Sequence, residues 1–204
     1  MSSQDARSKI LVSAKKLFGL KGFEAASVRD IAEHSGTNPA SINYHFGSKE
    51  ELFKVVARDC LQHTERVVGV LDQEPHTFES LRTCLKNFFK LFLQIRTEDE
   101  DSYFCINRNI DVLLSLDPQA FEDQIWSIIK NLEKFLLKAQ KNKLLRKDVE
   151  PQMIARILFS SFSHLLRDEN IHCKFGKIST FNDKYRDEYT DKTLLCFLEG
   201  SRRV

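Results

Sequence analysis

Residues 27–46 carry the start and stop signals of two short helices in close succession. Ser27 precedes the first, with Asp30 three residues later, which is close to the capping-box pattern. Gly36 suits the left-handed position that ends a helix. An Asn-Pro pair at 38–39 restarts the chain, because Asn is a preferred N-cap and Pro is tolerated at the first helical position. The spacing predicts two short helices joined by a tight turn.

Longer amphipathic segments flank this pair. Residues 6–20 present an apolar stripe at helical spacing, and Gly22 is expected to end that helix. Ser48, with Glu51 three residues later, is expected to cap a further helix over about residues 48–67. Two short helices between longer ones are typical of a helix-turn-helix, which places its second short helix in the major groove of DNA.

The second short helix has the side chains for that position. Ile42 and Phe46 are expected to face inward and hold it. The residues expected to face outward are small or polar, so the helix can approach base edges closely: Pro39, Ala40, Ser41 and Asn43.

The charge distribution separates this segment from the rest of the chain. The net charge of all 204 residues is only +2, and this overall value gives no indication of a nucleic-acid partner. Residues 1–49 contain seven Lys or Arg and four Asp or Glu, a net +3, so the remainder carries −1. The basic excess therefore lies in the segment with the helix-turn-helix pattern, as phosphate binding requires.

The rest of the chain predicts an all-α fold. Hydrophobic residues make up 42%, with only 7 Gly and 4 Pro, which argues against all-β and disordered classes. Apolar periodicity predicts five further helices, about nine in all, and the acidic run at 98–101 is expected to form a solvated loop. The five predicted helices span about residues 77–96, 102–115, 117–136, 150–165 and 181–201, with a polar segment at 169–180 before the last.

Other classes of protein lack support in the sequence. The five Cys form no C-x-x-C pair, no His/Cys spacing suits a metal, and no catalytic motif or cofactor-binding loop is present. Oxidant sensing by the Cys residues has no sequence signal beyond their number. No signal peptide or membrane span is predicted, so we expect a soluble cytoplasmic protein without metal or cofactor.

The first quarter of the chain resembles the TetR family of transcriptional regulators. Three segments carry the resemblance: ILVSAKKLFGLKGF (10–23), SVRDIAEHSGTNPASINYHF (27–46) and GSKEELF (47–53). The resemblance implies a helix-turn-helix DNA-binding domain, about 1–50, followed by a larger helical domain for effector binding and dimerisation, 51–204. It also implies a homodimer that pairs through its last two long helices and binds a two-fold operator in double-stranded DNA.

The resemblance gives roles to particular residues. Ser27 and Lys49, beside helix N-termini, and Tyr44 and His45, at the end of the second short helix, match residues that contact phosphate. Five further residues in the same segment are our candidates for reading base edges. A residue that caps a helix has a purely structural use as well. These candidates are Arg29, Asn38, Ala40, Ser41 and Asn43.

Twelve of the 16 Phe lie at or beyond residue 78, which suggests an apolar cavity in the larger domain. The alternative is that these aromatic side chains only fill the core. The candidate ligand-binding residues are Phe88, Phe92, Phe104, Arg108, Trp126, Phe159 and Phe162. The sequence thus predicts a repressor released from DNA by a small apolar or aromatic effector. Two alternatives are a regulator of the same fold controlled by a protein partner or by no ligand, and, with less support, a helical enzyme.

Overall fold

The computed structural model describes residues 3–62, 64–167, 174, 176, 179 and 182–201, and these fold into helices without a strand. The all-α class is therefore confirmed. The helices in chain order are α1 (Ser3–Lys21), α2 (Val28–Ser35), α3 (Pro39–Phe46), α4 (Lys49–Leu61), α5 (Thr64–Gly69, followed by a 3-10 turn Val70–Asp72), α6 (Phe78–Glu98), α7 (Glu100–Arg108), α8 (Ile110–Leu116), α9 (Pro118–Ala120, followed by a π-helical segment Phe121–Trp126), α10 (Ser127–Lys141), α11 (Pro151–Arg167) and α12 (Asp183–Ser201).

The chain forms two compact units. The first comprises residues 1–63 and 99–125, and the second comprises residues 64–98 and 126–204. The unit with the helix-turn-helix therefore extends beyond residue 50 and takes in a segment from the middle of the chain. The domain boundary predicted at residue 50 stays a prediction, because compactness alone does not define what folds independently.

An aromatic cluster lies at the centre of the first unit. Phe18 of α1 and Phe53 of α4 are fully buried, and their ring centroids lie 5.4 Å apart in an edge-to-face arrangement. Phe23, in the turn after α1, packs on both rings at 5.7 and 5.2 Å. Such pairs favour offset or edge contacts because the ring edge is positive and the face negative. The cluster fixes α1 against α4, and the two short helices pack on this pair.

The predicted turns and caps are confirmed. Gly36 ends α2 with φ +65°, a conformation that costs a residue with a Cβ about 1 kcal/mol. Ser27 and Asp30 form the capping box of α2, Asn38 caps α3 ahead of Pro39, and Ser48 caps α4. The start of each helix in this segment is thus set by its own neighbouring residues.

The second unit is built around a separate aromatic core. Phe89 of α6 and Phe162 of α11 are fully buried, and their rings stack at 3.7 Å. Phe88 packs edge-on against Phe89 at 4.8 Å. Aromatic side chains of this unit therefore fill its interior. At the surface of the unit, Lys86 of α6 and Asp191 of α12 form an ion pair at 2.8 Å.

Two predicted features of the middle of the chain are wrong. The helix expected over 48–67 is two helices, because the chain leaves the first unit after α4 and begins the second with α5. The acidic run at 98–101 is not a loop, since α6 runs to Glu98 and α7 begins at Glu100. Asp99 between them caps α7 by accepting from the Ser102 N–H at 3.0 Å.

The helix expected over 102–115 is interrupted at Asn109, which separates α7 from α8. Asn109 is only 3% exposed, and its side-chain amide forms hydrogen bonds with backbone groups of the first unit. Its Oδ1 accepts from the Phe23 N–H at 2.6 Å, and its amide NH₂ donates to the carbonyls of Phe18 (3.0 Å) and Cys105 (2.6 Å). The break places a polar side chain where it ties α7 to the end of α1.

The polar segment predicted at 169–180 lies outside the described residues except for positions 174, 176 and 179.

Among the helices that the structure does describe, none combines the length and apolarity that crossing a membrane requires.

We expect Asn109→Leu to lower the free energy of unfolding by about 3 kcal/mol, because it leaves the buried Phe23 N–H and two carbonyls without this partner. Asn107→Leu is the matched control, since Asn107 is half-buried and its side-chain amide donates to the Tyr103 carbonyl of its own helix. That variant is expected to lose less than about 1 kcal/mol. Urea unfolding followed by circular dichroism measures both. Equal losses in the two variants would contradict the role given to Asn109.

Candidate nucleic-acid interface

Helix α3 has a buried face and an exposed face. Ile42 and Phe46, one turn apart, are 0% and 8% exposed and anchor the helix in the core of the first unit. Ala40, Asn43 and Tyr44 lie on the opposite face and are exposed, with Tyr44 at 82%. The sequence of α3 contains no acidic residue. The helix therefore presents a face of small and polar groups that is compatible with close approach to a polyanion.

The N-terminus of α3 uses part of the predicted base-reading set for its own cap. The Asn38 Oδ1 accepts from the Ser41 backbone N–H at 2.8 Å. Asn38 is exposed and Ser41 is half-buried. The acceptor of Asn38 is thus committed to the helix, and its amide NH₂ is the group that remains suited to a base or phosphate acceptor.

The N-terminus of α2 carries a second group of predicted contacts. The Ser27 Oγ accepts from the Asp30 N–H at 3.1 Å, and the Ser27 N–H donates to the Asp30 carboxylate at 3.0 Å. This backbone bond, with help from the Ser27 side chain and from Lys21 at 3.3 Å, holds the pKa of Asp30 below its usual value. Arg29 is exposed beside it. The capping box thereby fixes the start of α2 and leaves the Arg29 side chain at the surface.

Lys49 lies at the start of α4 and contacts the turn after α1. Its Nζ is 4.3 Å from the centroid of the Phe23 ring and 3.4 Å from the Glu24 carbonyl oxygen. A cation over an aromatic face is attracted by the negative charge of the ring face. Lys49 is half-buried, so these contacts hold its charge at a defined place near the start of α4.

The aromatic pair at the end of α3 differs in exposure. Tyr44 projects from the surface, whereas His45 is half-buried with its ring 5.1 Å from that of Tyr44. The Arg7 guanidinium lies 5.2 Å from the Phe46 ring, which places a basic group of α1 beside the same end of α3. Arg7 was not among the residues predicted from the sequence to bind DNA. The one sequence signal that pointed to Arg7 was the basic excess of the first 49 residues.

The predicted effector residues divide between the two units. Phe104 and Arg108 lie on α7 in the first unit, where Phe104 packs against Gly19 and Arg108 against Gly22. The other five lie in the second unit: Phe88 and Phe162 are fully buried, and Phe92, Trp126 and Phe159 are half-buried. The rings of Phe92 and Phe159 lie 5.7 Å apart, and the Arg156 guanidinium lies 5.5 Å from the Trp126 ring.

Among the residues that the structure describes, no three His, Cys, Asp or Glu side chains lie close enough together to hold a metal ion.

Comparison with known proteins agrees with this geometry. Residues 10–56 match the model of the bacterial regulatory proteins of the TetR family. The chain is 24% identical over 193 residues to the biofilm operon icaADBC HTH-type negative transcriptional regulator IcaR of Staphylococcus aureus, covering 89% of this chain and 94% of that protein. It is 38% identical over 65 residues to the HTH-type transcriptional repressor AcnR of Corynebacterium glutamicum, covering 32% of this chain and 35% of that protein.

A similar fold occurs among solved structures. A gamma-butyrolactone receptor, described as an ArpA-like protein, superposes with a TM-score of 0.72 over 100% of this chain and 92% of its own. The sequence identity is 16%, so this likeness concerns the fold. It extends through both compact units and beyond the 10–56 match.

Proposed function

Since the chain belongs to the TetR family of transcriptional regulators, which bind DNA and are not enzymes, we propose that it represses transcription as a dimer on a two-fold operator and is released by a small, largely apolar or aromatic effector. The single observation that carries the DNA-binding part is the exposed polar face of α3, held in place by the buried Ile42 and Phe46. Action in the cytoplasm is part of this proposal, because operator DNA is its target.

In this proposal α3 enters the major groove by its N-terminal half. Asn43, exposed on the outward face, pairs with adenine through its amide, and Ala40 contacts a thymine methyl group. Ser41 and the NH₂ of Asn38 contact base edges at the N-terminus of α3, and Arg29 of α2 addresses guanine.

Phosphate contacts fix the register of α3 in the groove. Ser27 and Lys49, at the starts of α2 and α4, supply a hydroxyl and a positive charge. Tyr44 supplies a phenolic O–H and His45 an imidazole at the other end of α3. The position of Arg7 beside Phe46 supports its addition to this set.

Dimerisation through α11 and α12 is supported by apolar side chains that are left at the surface of the second unit. Met153 and Ile157 lie one turn apart on α11 and are 56% and 37% exposed, and Leu195 of α12 is 46% exposed. Apolar area exposed on a long helix is stabilised when a symmetric partner covers it. Two copies then present two α3 helices to successive major grooves, about 34–36 Å apart.

The effector part of the proposal rests on the half-buried aromatic residues of the second unit, Phe92, Trp126 and Phe159. The fully buried Phe88 and Phe162 serve the core of that unit. Phe104 and Arg108 belong to the first unit, and their role in effector binding stays a prediction from the sequence. The name of the similarly folded gamma-butyrolactone receptor supports a small ligand of this chemical class. To release DNA, such a ligand must bind the two conformations of the protein unequally.

Lys49→Gln is expected to weaken binding to all duplexes and to reduce the slope of log affinity against log salt by about 1, because it removes one phosphate contact. Asn43→Ala is expected instead to cost about 1–3 kcal/mol at a single base position and to leave the salt slope unchanged. Fluorescence anisotropy with single-base operator variants at several salt concentrations separates the two effects. If both variants bind every duplex as the wild type does, the proposed interface is wrong.

Ile157→Glu on α11 is expected to raise the dimer dissociation constant about tenfold or more, because it places a charge in the proposed apolar interface. Leu137→Glu on α10 is the matched control, since Leu137 is similarly exposed at 39% but lies outside that interface. Sedimentation velocity over a range of concentrations gives both constants. A control that dissociates as readily as the Ile157 variant would argue against α11 as the interface.

Small apolar lactones, ketones and aromatic acids are expected to include compounds that raise the melting temperature and release operator DNA. Phe92→Ala should remove both responses, because it truncates a half-buried ring of the proposed site. Thermal-shift screening with operator release as the second readout measures them. Compounds that stabilise the wild type and the Phe92 variant equally would place the effector elsewhere.

A further inference from the structure

The strongest basic cluster of the chain lies in the second unit, outside the helix-turn-helix. Residues 130–147 contain seven Lys or Arg and one Glu, a net +6, whereas the whole chain carries +2. Helix α10 supplies four of these cations and the turn after it supplies the other three. They are Lys130, Lys134, Lys138 and Lys141, followed by Lys143, Arg146 and Lys147.

Helix α10 has an apolar face and a basic face on opposite sides. At 3.6 residues per turn, its four lysines fall within an arc of about 80° and span about 17 Å along the helix. Three of them are exposed, and Lys138 is half-buried. The residues of the opposite side are buried in the second unit: Ile128, Ile129, Leu132, Phe135, Leu136 and Ala139. The buried side fixes the helix, so the lysines form a row on a rigid support.

Nearby carboxylates neutralise little of this face. The Glu74 carboxylate accepts from the Asn142 amide at 3.2 Å, and Asp148 accepts from the Arg146 Nε at 2.9 Å. Four lysines form no ion pair with any residue that the structure describes, namely Lys134, Lys138, Lys141 and Lys143. The positive charge of the face is therefore left for a partner.

Lys143 ends α10 in a left-handed backbone conformation, with φ +60°. Its N–H donates to the Gln140 carbonyl at 3.0 Å, and the Leu144 N–H donates to the Ala139 carbonyl at 3.0 Å, which is a common way to end a helix. Glycine is the usual residue at this position, because a Cβ is strained there. The end of the helix thus gives no local reason for a Lys, and the side chain adds a charge next to the lysine row.

The helix dipole explains part of the row. It favours cations near the C-terminus of a helix, which accounts for Lys138 and Lys141. Lys130 and Lys134 lie in the first half of α10, where the dipole does not favour a cation. The basic face therefore exceeds what the stability of α10 requires.

The residue types on this face suit phosphate groups better than base edges. Lys is a flexible point charge, whereas bidentate reading of guanine is typical of Arg, and Arg146 is occupied by Asp148. A DNA duplex carries about ten phosphate charges over 17 Å of its axis. A helix that lies on a membrane inserts its apolar face into the lipid, but that face of α10 is buried in the protein. The observations therefore favour a DNA backbone over a lipid surface.

We propose that the basic face of α10 and the turn after it bind the phosphate backbone of double-stranded DNA without regard to sequence. The site is separate from the contacts proposed for α3 and goes beyond operator recognition. Its attraction is electrostatic, so it acts on any duplex and falls steeply with salt concentration. Contacts of this kind hold a protein near DNA and let it move between positions.

Replacing three lysines of the row together, by Lys134→Gln, Lys138→Gln and Lys141→Gln, is expected to weaken binding to a non-operator duplex at least about tenfold at low salt. The slope of log affinity against log salt should fall by about 2–3, because three phosphate contacts are lost. Fluorescence anisotropy of the full-length protein at several salt concentrations measures both. Unchanged affinity and slope would overturn the proposal.

Two controls separate the site from overall charge and from folding. The corresponding triple Lys→Arg variant keeps the charge and is expected to bind within about twofold of the wild type, since phosphate contacts accept either cation. Lys86→Gln, Lys90→Gln and Lys184→Gln together remove the same charge from α6 and α12 and are expected to leave the slope unchanged. If this second triple variant loses as much as the first, net charge alone explains the binding and the proposed site is wrong.

Lys143→Gly separates the function of this residue from stability. The variant is expected to keep or raise the melting temperature, because glycine removes the strain, and to lower the salt slope by about 1. Thermal unfolding and the same anisotropy titration measure the two effects. A lower melting temperature with an unchanged slope would contradict the role given to Lys143.

Lysine acetylation mapped by mass spectrometry locates the contact directly. A non-operator duplex is expected to slow acetylation of Lys134, Lys138 and Lys141 at least about threefold and to leave Lys86 unaffected. Vesicles of phosphatidylcholine and phosphatidylserine at matched anionic charge are the alternative partner, and stronger protection by the vesicles than by the duplex would overturn the proposal. Protection by the duplex in a protein that selects no operator would contradict the proposed function alone. Operator binding without this protection would contradict the inference alone.

Discussion

The architecture depends on the fact that two eight-residue helices cannot hold their own shape. A helix of this length is unstable in water, because the entropy of nucleation is not recovered over so few hydrogen bonds. Helices α2 and α3 persist because Ile31, Ile42 and Phe46 are buried in a core set by α1 and α4. The aromatic contacts among Phe18, Phe23 and Phe53 give that core its fixed geometry. A rigid support for a small exposed face is what reading bases requires, since base-edge hydrogen bonds tolerate little displacement.

Ion pairs and hydrogen bonds join the N-terminal helices of the first unit to the segment from the middle of the chain. Arg58 of α4 pairs with the buried Asp117 at 2.7 Å, which holds the pKa of Asp117 below its usual value. Lys15 reaches Asp99, and Asn109 binds the end of α1. Apolar packing tolerates several arrangements of similar volume, whereas these bonds have direction and select one.

The sequence predicted the features that neighbouring residues encode. The capping signals at Ser27, Asn38 and Ser48 and the turn at Gly36 depend on contacts within four residues, and all are present. The buried and exposed faces of α3 followed from periodicity in the same way. The break at Asn109 depends on Phe18 and Phe23, about 90 positions away, and no local pattern reveals such partners. The position of Arg7 over the Phe46 ring was hidden for the same reason. The roles of single residues on DNA depend on the groove itself and remain predictions.

Selection of bound duplexes from a random DNA library by the purified wild-type protein tests operator recognition by a symmetric dimer most directly. We expect enrichment of an inverted repeat with two equal half-sites, their centres one helical turn of about 10–10.5 base pairs apart or a multiple of this. Such a site would report sequence reading, two-fold symmetry and the spacing of the two α3 helices in one measurement. Recovery of duplexes with no shared sequence, or of a single half-site without a symmetric mate, would contradict sequence-specific binding by a symmetric dimer.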